Sequence, residues 1–243
     1  MKNVLMGVSY LGTNYAGWQK QDNALAIQEL IENALKEVTG ENIEIFASGR
    51  TDAGVHAMEQ CCSFKTKFSQ VLKLPIALNS KLPEDIKILW AKEVDENFHA
   101  RFSAHKKTYL YRLKVDKVES PFDYLTTAYV PYELNLQNML RAAEFLIGEH
   151  NFKAFCSSGT SVPDFTRTIY SLSITQTNNL YEFEICGNGF LYNMVRIIVG
   201  TLVDVGRGKI SPDQIKEILI GQKRENAGKT MPAKGLLLKN VAY

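Results

Sequence analysis

Cysteine is scarce in this 243-residue chain, with four in all, and none of them is placed to build a site. Cys61 and Cys62 are neighbours in a strand-like run and therefore point to opposite faces, while Cys156 and Cys186 stand alone. There is no C-x-x-C pair and no histidine cluster at ligand spacing, so neither a metal nor a dithiol redox couple is expected. No apolar run approaches the roughly 20 residues of a membrane helix. The opening MKNVLMGVSY reads as a strand rather than a signal peptide, which makes a cytoplasmic location the expectation. A phosphate loop and a dinucleotide fingerprint are both missing, so no cofactor is expected either. Charge of one sign is also lacking, since the net is only +2. It is unevenly spread: residues 1–103 carry 11 Lys+Arg against 13 Asp+Glu, and residues 104–243 carry 17 against 13. A locally basic face remains compatible with that total, because phosphate binding depends on clustering.

What is present is ordinary globular material, 45% hydrophobic and 22% charged. Periodicity predicts strands at 4–10, 43–47, 58–64 and 86–94, a helix over 24–38 capped by Asn23 and stopped by Gly40, and a shorter helix over 72–80. The order then repeats. Strands are predicted at 108–115, 169–175, 181–186 and 236–241, with helices over 136–146, 190–205 and, from Ser211-Pro212, to about 220. Asn178-Asn179 is the expected hairpin turn. Each half reads roughly β-α-β-β-α-β, the order of a ferredoxin-like unit. The expectation is an α+β protein of two halves, residues 1–103 and 104–243, with antiparallel sheets flanking a central cleft.

One stretch carries chemistry. Gly49-Arg50-Thr51-Asp52-Ala53-Gly54-Val55-His56 sets a single carboxylate between two glycines, two residues after an arginine and just past an apolar run. Glycine lets a ligand approach the main chain closely. Thr-Asp-Ala-Gly is equally ordinary turn chemistry, so the loop alone does not decide between a site and a turn.

Four further segments decide it. Tyr15-Ala16-Gly17-Trp18-Gln19-Lys20-Gln21, Phe98-His99-Ala100-Arg101-Phe102-Ser103-Ala104 with Tyr109-Leu110-Tyr111, Gly189-Phe190-Leu191 with Met194-Val195-Arg196 and Ile198-Val199-Gly200, and Arg224 through Leu236 occur in this order. With the Asp52 loop they make the chain resemble the tRNA pseudouridine synthase A (TruA) family over nearly its whole length. Two departures stand out: Met231 replaces an expected alanine, and residues 66–73 are not recognisable, which leaves one basic RNA-contact position without a counterpart.

The resemblance implies isomerisation of uridine to pseudouridine in the anticodon stem-loop of tRNA, at positions 38, 39 and 40, by a homodimer. It implies Asp52 as the catalytic nucleophile and Arg196 as its catalytic partner. Tyr109 would lie against the target base, Arg50 would help displace the nucleotide, and His56 would shape the loop. Arg101, with Lys106, Lys107, Lys117 and Arg167, would hold phosphates. The chemistry is coherent, because a carboxylate that must stay ionised is helped by a guanidinium, which is charged in any protein site. A helix as apolar as 190–199 is largely buried, and a buried arginine on it needs a carboxylate, for which Asp52 is the candidate. Tyr111 shares a strand face with Tyr109, and the residues do not separate their roles. The base that removes the C5 proton is open between Asp52, Tyr109 and water.

Two rival readings fit the residues less well. An RNA-binding module without catalysis has no use for an acid facing phosphates. A glycoside or nucleoside hydrolase usually needs a second carboxylate, and nothing marks a partner for Asp52.

Overall fold

The computed structural model describes residues 1–159 and 162–243. In chain order the elements are β1 (Lys2–Tyr10), α1 (Ile27–Thr39), β2 (Phe46–Ala47), β3 (His56–Thr66), α2 (Leu74–Asn79), β4 (Ile86–Val94) and β5 (Lys106–Val115). They continue with β6 (Ala128–Val130), α3 (Leu136–Glu144), β7 (Gly148–Asn151), β8 (Thr166–Thr177), β9 (Leu180–Gly187), α4 (Met194–Gly206), α5 (Gln214–Gly221) and β10 (Leu236–Ala242). The protein is α+β. Its chain divides into one unit of Met1–His105 with Leu237–Tyr243 and a second of Lys106–Leu236.

In the first unit β1 is central, antiparallel to both β3 and β4. Val4, Leu5, Met6 and Val8 of β1 are all buried, so both of its faces are covered. The other edge of β3 is shared: β2 pairs antiparallel at Cys62 and Ser63, and β10 pairs in parallel at His56 and Ala57. β4-β1-β3-β2 is thus the ferredoxin-like order, with β2 shrunk to two residues. Leu5, Cys61 and Ala100 form a core cluster with Trp90, Val94, Phe98 and Val241 packed on it.

Helix α1 begins later than predicted. Its cap is Ala26, not Asn23, and no side chain serves it. The first amides find main-chain acceptors instead: Ile27 donates to the Gly17 carbonyl at 3.2 Å and Gln28 to that of Trp18 at 3.0 Å. Gly40 does end the helix, in the left-handed conformation at φ 75°. Residues 43–45 were expected in a strand, and Ile43 and Ile45 are indeed buried. They bond to α1 rather than to a ladder. The Ile45 amide donates to Glu32 and its carbonyl accepts from Gln28.

In the second unit the order is β7-β8-β9-β5, all antiparallel, and β6 pairs in parallel with β5 at Leu113, Lys114 and Val115. Each unit therefore departs from a purely antiparallel sheet by one pairing. A long connection allows this: β6 returns to β5 only after the 116–127 loop. Asn178, at φ 54°, makes the tight turn between β8 and β9 as expected. Helices α3 and α4 pack on each other, α3 against β8 and α4 against β5. Phe152, Phe155, Phe183, Ile185 and Tyr111 fill this core; burying each side chain contributes roughly 1.5–3 kcal/mol. Helix α4 starts at Met194 rather than 190, because Asn193 takes φ 60° and interrupts the helical path. At α5 the Gln214 side chain reaches back to the Ser211 amide at 2.7 Å, one arm of a capping box.

Candidate active site

The Asp52 loop joins β2 to β3, and it is held from several directions through both side chain and main chain. The Tyr10 hydroxyl bonds the Thr51 hydroxyl at 2.7 Å, and the Trp18 amide donates to the Thr51 carbonyl at 3.0 Å. Gln60, fully buried, donates to the Gly49 carbonyl at 2.8 Å. The turn closes on itself, with the Val55 amide donating to the Asp52 carbonyl at 3.1 Å. His56 is buried, and its Nδ1 accepts from the Gly12 amide at 2.9 Å, so this nitrogen is unprotonated. His56 thus ties the start of β3 to the Gly12 turn.

Gly17 makes the approach possible. It has φ +98°, and a Cβ there would stand 2.6 Å from the Thr51 carbonyl oxygen. Only glycine fits. Trp18, 1% exposed and packed against Tyr10, anchors the same junction. Gln19, next in line, accepts a hydrogen bond from Arg50 Nε at 3.1 Å, which steers the exposed Arg50 side chain. The N-terminal motif is therefore the brace of the Asp52 loop. Asp52 itself is half-buried.

Arg101 lies in the same unit, exposed on the turn after β4. Its guanidinium stands 5.7 Å from the Phe102 ring centre, and its amide donates to His99 Nδ1 at 3.1 Å. His99 packs between the rings of Phe46 and Phe102. Lys67 and Lys73, in the stretch that matched no motif, are exposed.

In the second unit Tyr109 is half-buried on β5, edge-on to Phe190 with ring centres 5.0 Å apart. Tyr111, two residues on, is fully buried and donates its hydroxyl to the Pro232 carbonyl at 2.8 Å. Burial holds its phenol well above the usual range. The structure thus separates two tyrosines that the sequence left equivalent. Arg167 is spent locally, its guanidinium bonded to the Asp164 and Thr166 carbonyls, while Lys106 and Lys117 are exposed.

Arg196 sits in the first turn of α4, half-buried. Nε donates to the Met231 carbonyl at 2.6 Å and Nη1 to Asn193 Oδ1 at 2.7 Å. Asn193 in turn donates to Ser157 Oγ at 3.0 Å. The Arg196 carbonyl accepts from the Met231 amide at 3.2 Å, so the two residues are bonded reciprocally. This gives the closing motif its purpose: consecutive carbonyls of Met231 and Pro232 hold Arg196 and Tyr111. Met231 serves through its main chain, with its side chain fully buried, so alanine is not required there. Gly235 clears space for Tyr111, whose ring would otherwise lie 2.6 Å from a Cβ. Sequence reading missed Asn193, Thr201 and the use of residues 227–235 as a strap. Asn193 just before an apolar helix was the available signal. Among the described residues no group of His, Cys, Asp and Glu is arranged to hold a metal, and no helix is long and apolar enough to cross a membrane.

The model of the tRNA pseudouridine synthase family matches residues 6–103 and 142–243. The chain is 47% identical to tRNA pseudouridine synthase A of Thermoanaerobacter sp. strain X514 over 244 residues, covering 100% of both. The corresponding proteins of Acetivibrio thermocellus and Brevibacillus brevis are each 46% identical, again over 100% of both chains. A solved Cbf5–Nop10–Gar1 complex is far more distant, with a TM-score of 0.42 and 11% identity over 97% of this chain and 48% of that one. Full-length likeness at this level, in a chain whose motifs brace one another as described, means that this protein is an isomerase of the tRNA pseudouridine synthase family.

Proposed function

We propose that the protein converts uridine to pseudouridine in the anticodon stem-loop of tRNA, at positions 38, 39 and 40, with Asp52 as nucleophile. The uracil N1–C1′ bond breaks, the base turns, C5 bonds to C1′, and the proton lost from C5 is balanced by one gained at N1. Nothing is oxidised and no water is consumed. Arg196 supplies the positive charge that keeps the carboxylate ionised, and Tyr109 lies against the base. Arg50 takes the place of the displaced nucleotide, since C1′ and C5 cannot react inside a stacked stem. Arg101 contributes to phosphate binding, and the functional unit is a cytoplasmic homodimer.

The observation that carries this reading is the bracing of the loop. A carboxylate that attacks carbon has to be held in place, and on its N-terminal side Trp18 and Gln60 fix the Thr51 and Gly49 carbonyls while Tyr10 fixes the Thr51 hydroxyl. The test is tritium release from a tRNA transcript carrying 5-³H-uridine. Wild type should release tritium, whereas Asp52→Asn should release none while binding the same transcript within about threefold. Turnover by Asp52→Asn would sink the assignment of the nucleophile. Free uracil among the products would mean a hydrolase.

A further inference from the structure

Arg224 spends its guanidinium on one short loop. Nη1 donates to the Ala227 and Gly228 carbonyls at 3.3 and 2.9 Å, and Nη2 donates to Thr230 Oγ1 at 3.2 Å. Among the described residues no carboxylate stands within ion-pair distance of it. Burial pulls the group below its ordinary value, so the cation is partly stripped of water in order to bond main-chain oxygens. Such an arrangement is costly unless the loop it closes has to be held.

The loop leads directly to Arg196. The Gly228 amide donates to Thr201 Oγ1 at 2.9 Å, and that hydroxyl donates to the Ile197 carbonyl at 2.8 Å, one residue after Arg196. The loop also meets α4 main chain to main chain. A Cβ on Gly200 would lie 1.8 Å from the Lys229 carbonyl oxygen, and one on Gly228 would lie 2.5 Å from the Gly200 carbonyl carbon. One residue further, Met231 makes its reciprocal bonds with Arg196, and Pro232 receives Tyr111.

We propose that Arg224 is a positioning residue, which fixes the 227–230 loop so that the Met231 carbonyl holds the Arg196 guanidinium in its working orientation. This rests on the catalytic role proposed above for Arg196. Arg224 acts through the strap and touches no reacting atom. A lysine offers one centre where three acceptors are served by a rigid fork, so Arg224→Lys should rescue only part of the function.

Two measurements on the intact protein separate the two ideas. The Arg196 Nε–H resonance, assigned by its disappearance in Arg196→Lys, reports the clamp without any substrate. In Arg224→Ala it should shift and lose protection from solvent exchange; an unchanged resonance overturns the proposal. The second measurement is tritium release well below the unfolding midpoint of each variant. Arg224→Ala should lower kcat by about 10- to 100-fold with KM within about threefold, since misplacing a catalytic group by about 1 Å costs this order. Combined with Arg196→Lys, the loss should not exceed that of Arg196→Lys alone, because both act on one group. Additive losses, or a kcat that recovers once unfolding is allowed for, overturn it. Thr230→Val, which removes a single acceptor, should give a smaller loss of the same kind; no loss in a folded Thr230→Val with a full loss in Arg224→Ala would confine the clamp to the two carbonyls. A wild type that releases no tritium refutes the functional reading, and the resonance still judges the clamp.

Discussion

Trp18 is bonded through both sides of its peptide, its amide to Thr51 and its carbonyl to the amide of Gln28. The same residue that starts α1 therefore braces the Asp52 loop, and Gln19 beside it holds Arg50. This link could not be read from spacing. The resemblance pointed to Asp52, Arg50 and His56, whereas the bracing depends on the Thr51 and Gly49 carbonyls and the Trp18 amide, main-chain groups that every residue carries. The two tyrosines of β5 show the same limit: alternation put Tyr109 and Tyr111 on one face, and only packing against Gly235 and Pro232 distinguishes the buried one. Arg50, proposed to displace the target nucleotide, should matter most where there is a stem to open. Arg50→Ala should therefore lose at least about tenfold more kcat/KM on an intact stem-loop than on an unstructured strand, given the few kcal/mol that unstacking costs. Steady-state kinetics on both substrates checks this, and equal losses would assign Arg50 to the chemistry instead.

Strands with strong alternation were legible almost to the residue, as in β4, predicted and found at Ile86–Val94. The polar β7, Gly-Glu-His-Asn, and the three-residue β6 left no periodic trace and were not anticipated. Apolar runs report burial and not ladder pairing, which is why 43–45 looked like strand and why α4 seemed to start four residues early. Helix α4 also holds the sharpest test of packing against propensity. In an exposed helix Gly→Ala stabilises by up to about 1 kcal/mol. Gly221, at the end of α5 with nothing near its missing Cβ, should follow that rule. Gly200 should reverse it. Gly200→Ala must push away the Lys229 carbonyl, and a loss of about 1–3 kcal/mol is expected from overpacking. Urea unfolding of both variants decides; a neutral Gly200→Ala would mean that the strap is free to move.

At the scale of the whole molecule, burial decides which thiols and phenols hold their protons. Burial pushes the Cys61 thiol from 9.0 up to about 12 and raises Cys62, Tyr111 and Tyr243 further still. Each keeps its proton to higher pH in the folded chain than in the unfolded one. Below about pH 9 both states are protonated and stability is undiminished; above it the unfolded chain loses protons first, so stability should fall as pH rises. The urea midpoint should be level from pH 7 to about 8.5 and decline steadily beyond pH 9, and a midpoint that rises there would contradict these burials. The order of synthesis gives the molecule a further property. The first unit holds the Asp52 loop midway along Met1–His105, yet β10 pairs beside that loop at His56 and Ala57, the Ala242 carbonyl accepts from the His105 amide, and the Tyr243 hydroxyl donates to the Ala100 carbonyl. A ribosome must translate all of Lys106–Leu236 before it delivers the segment that completes this unit. Nascent chains carry the residues of the proposed chemistry before the strand that completes this unit, so a variant ending at Leu236, which lacks β10 beyond its first residue, should be cleared by proteases and show no tritium release.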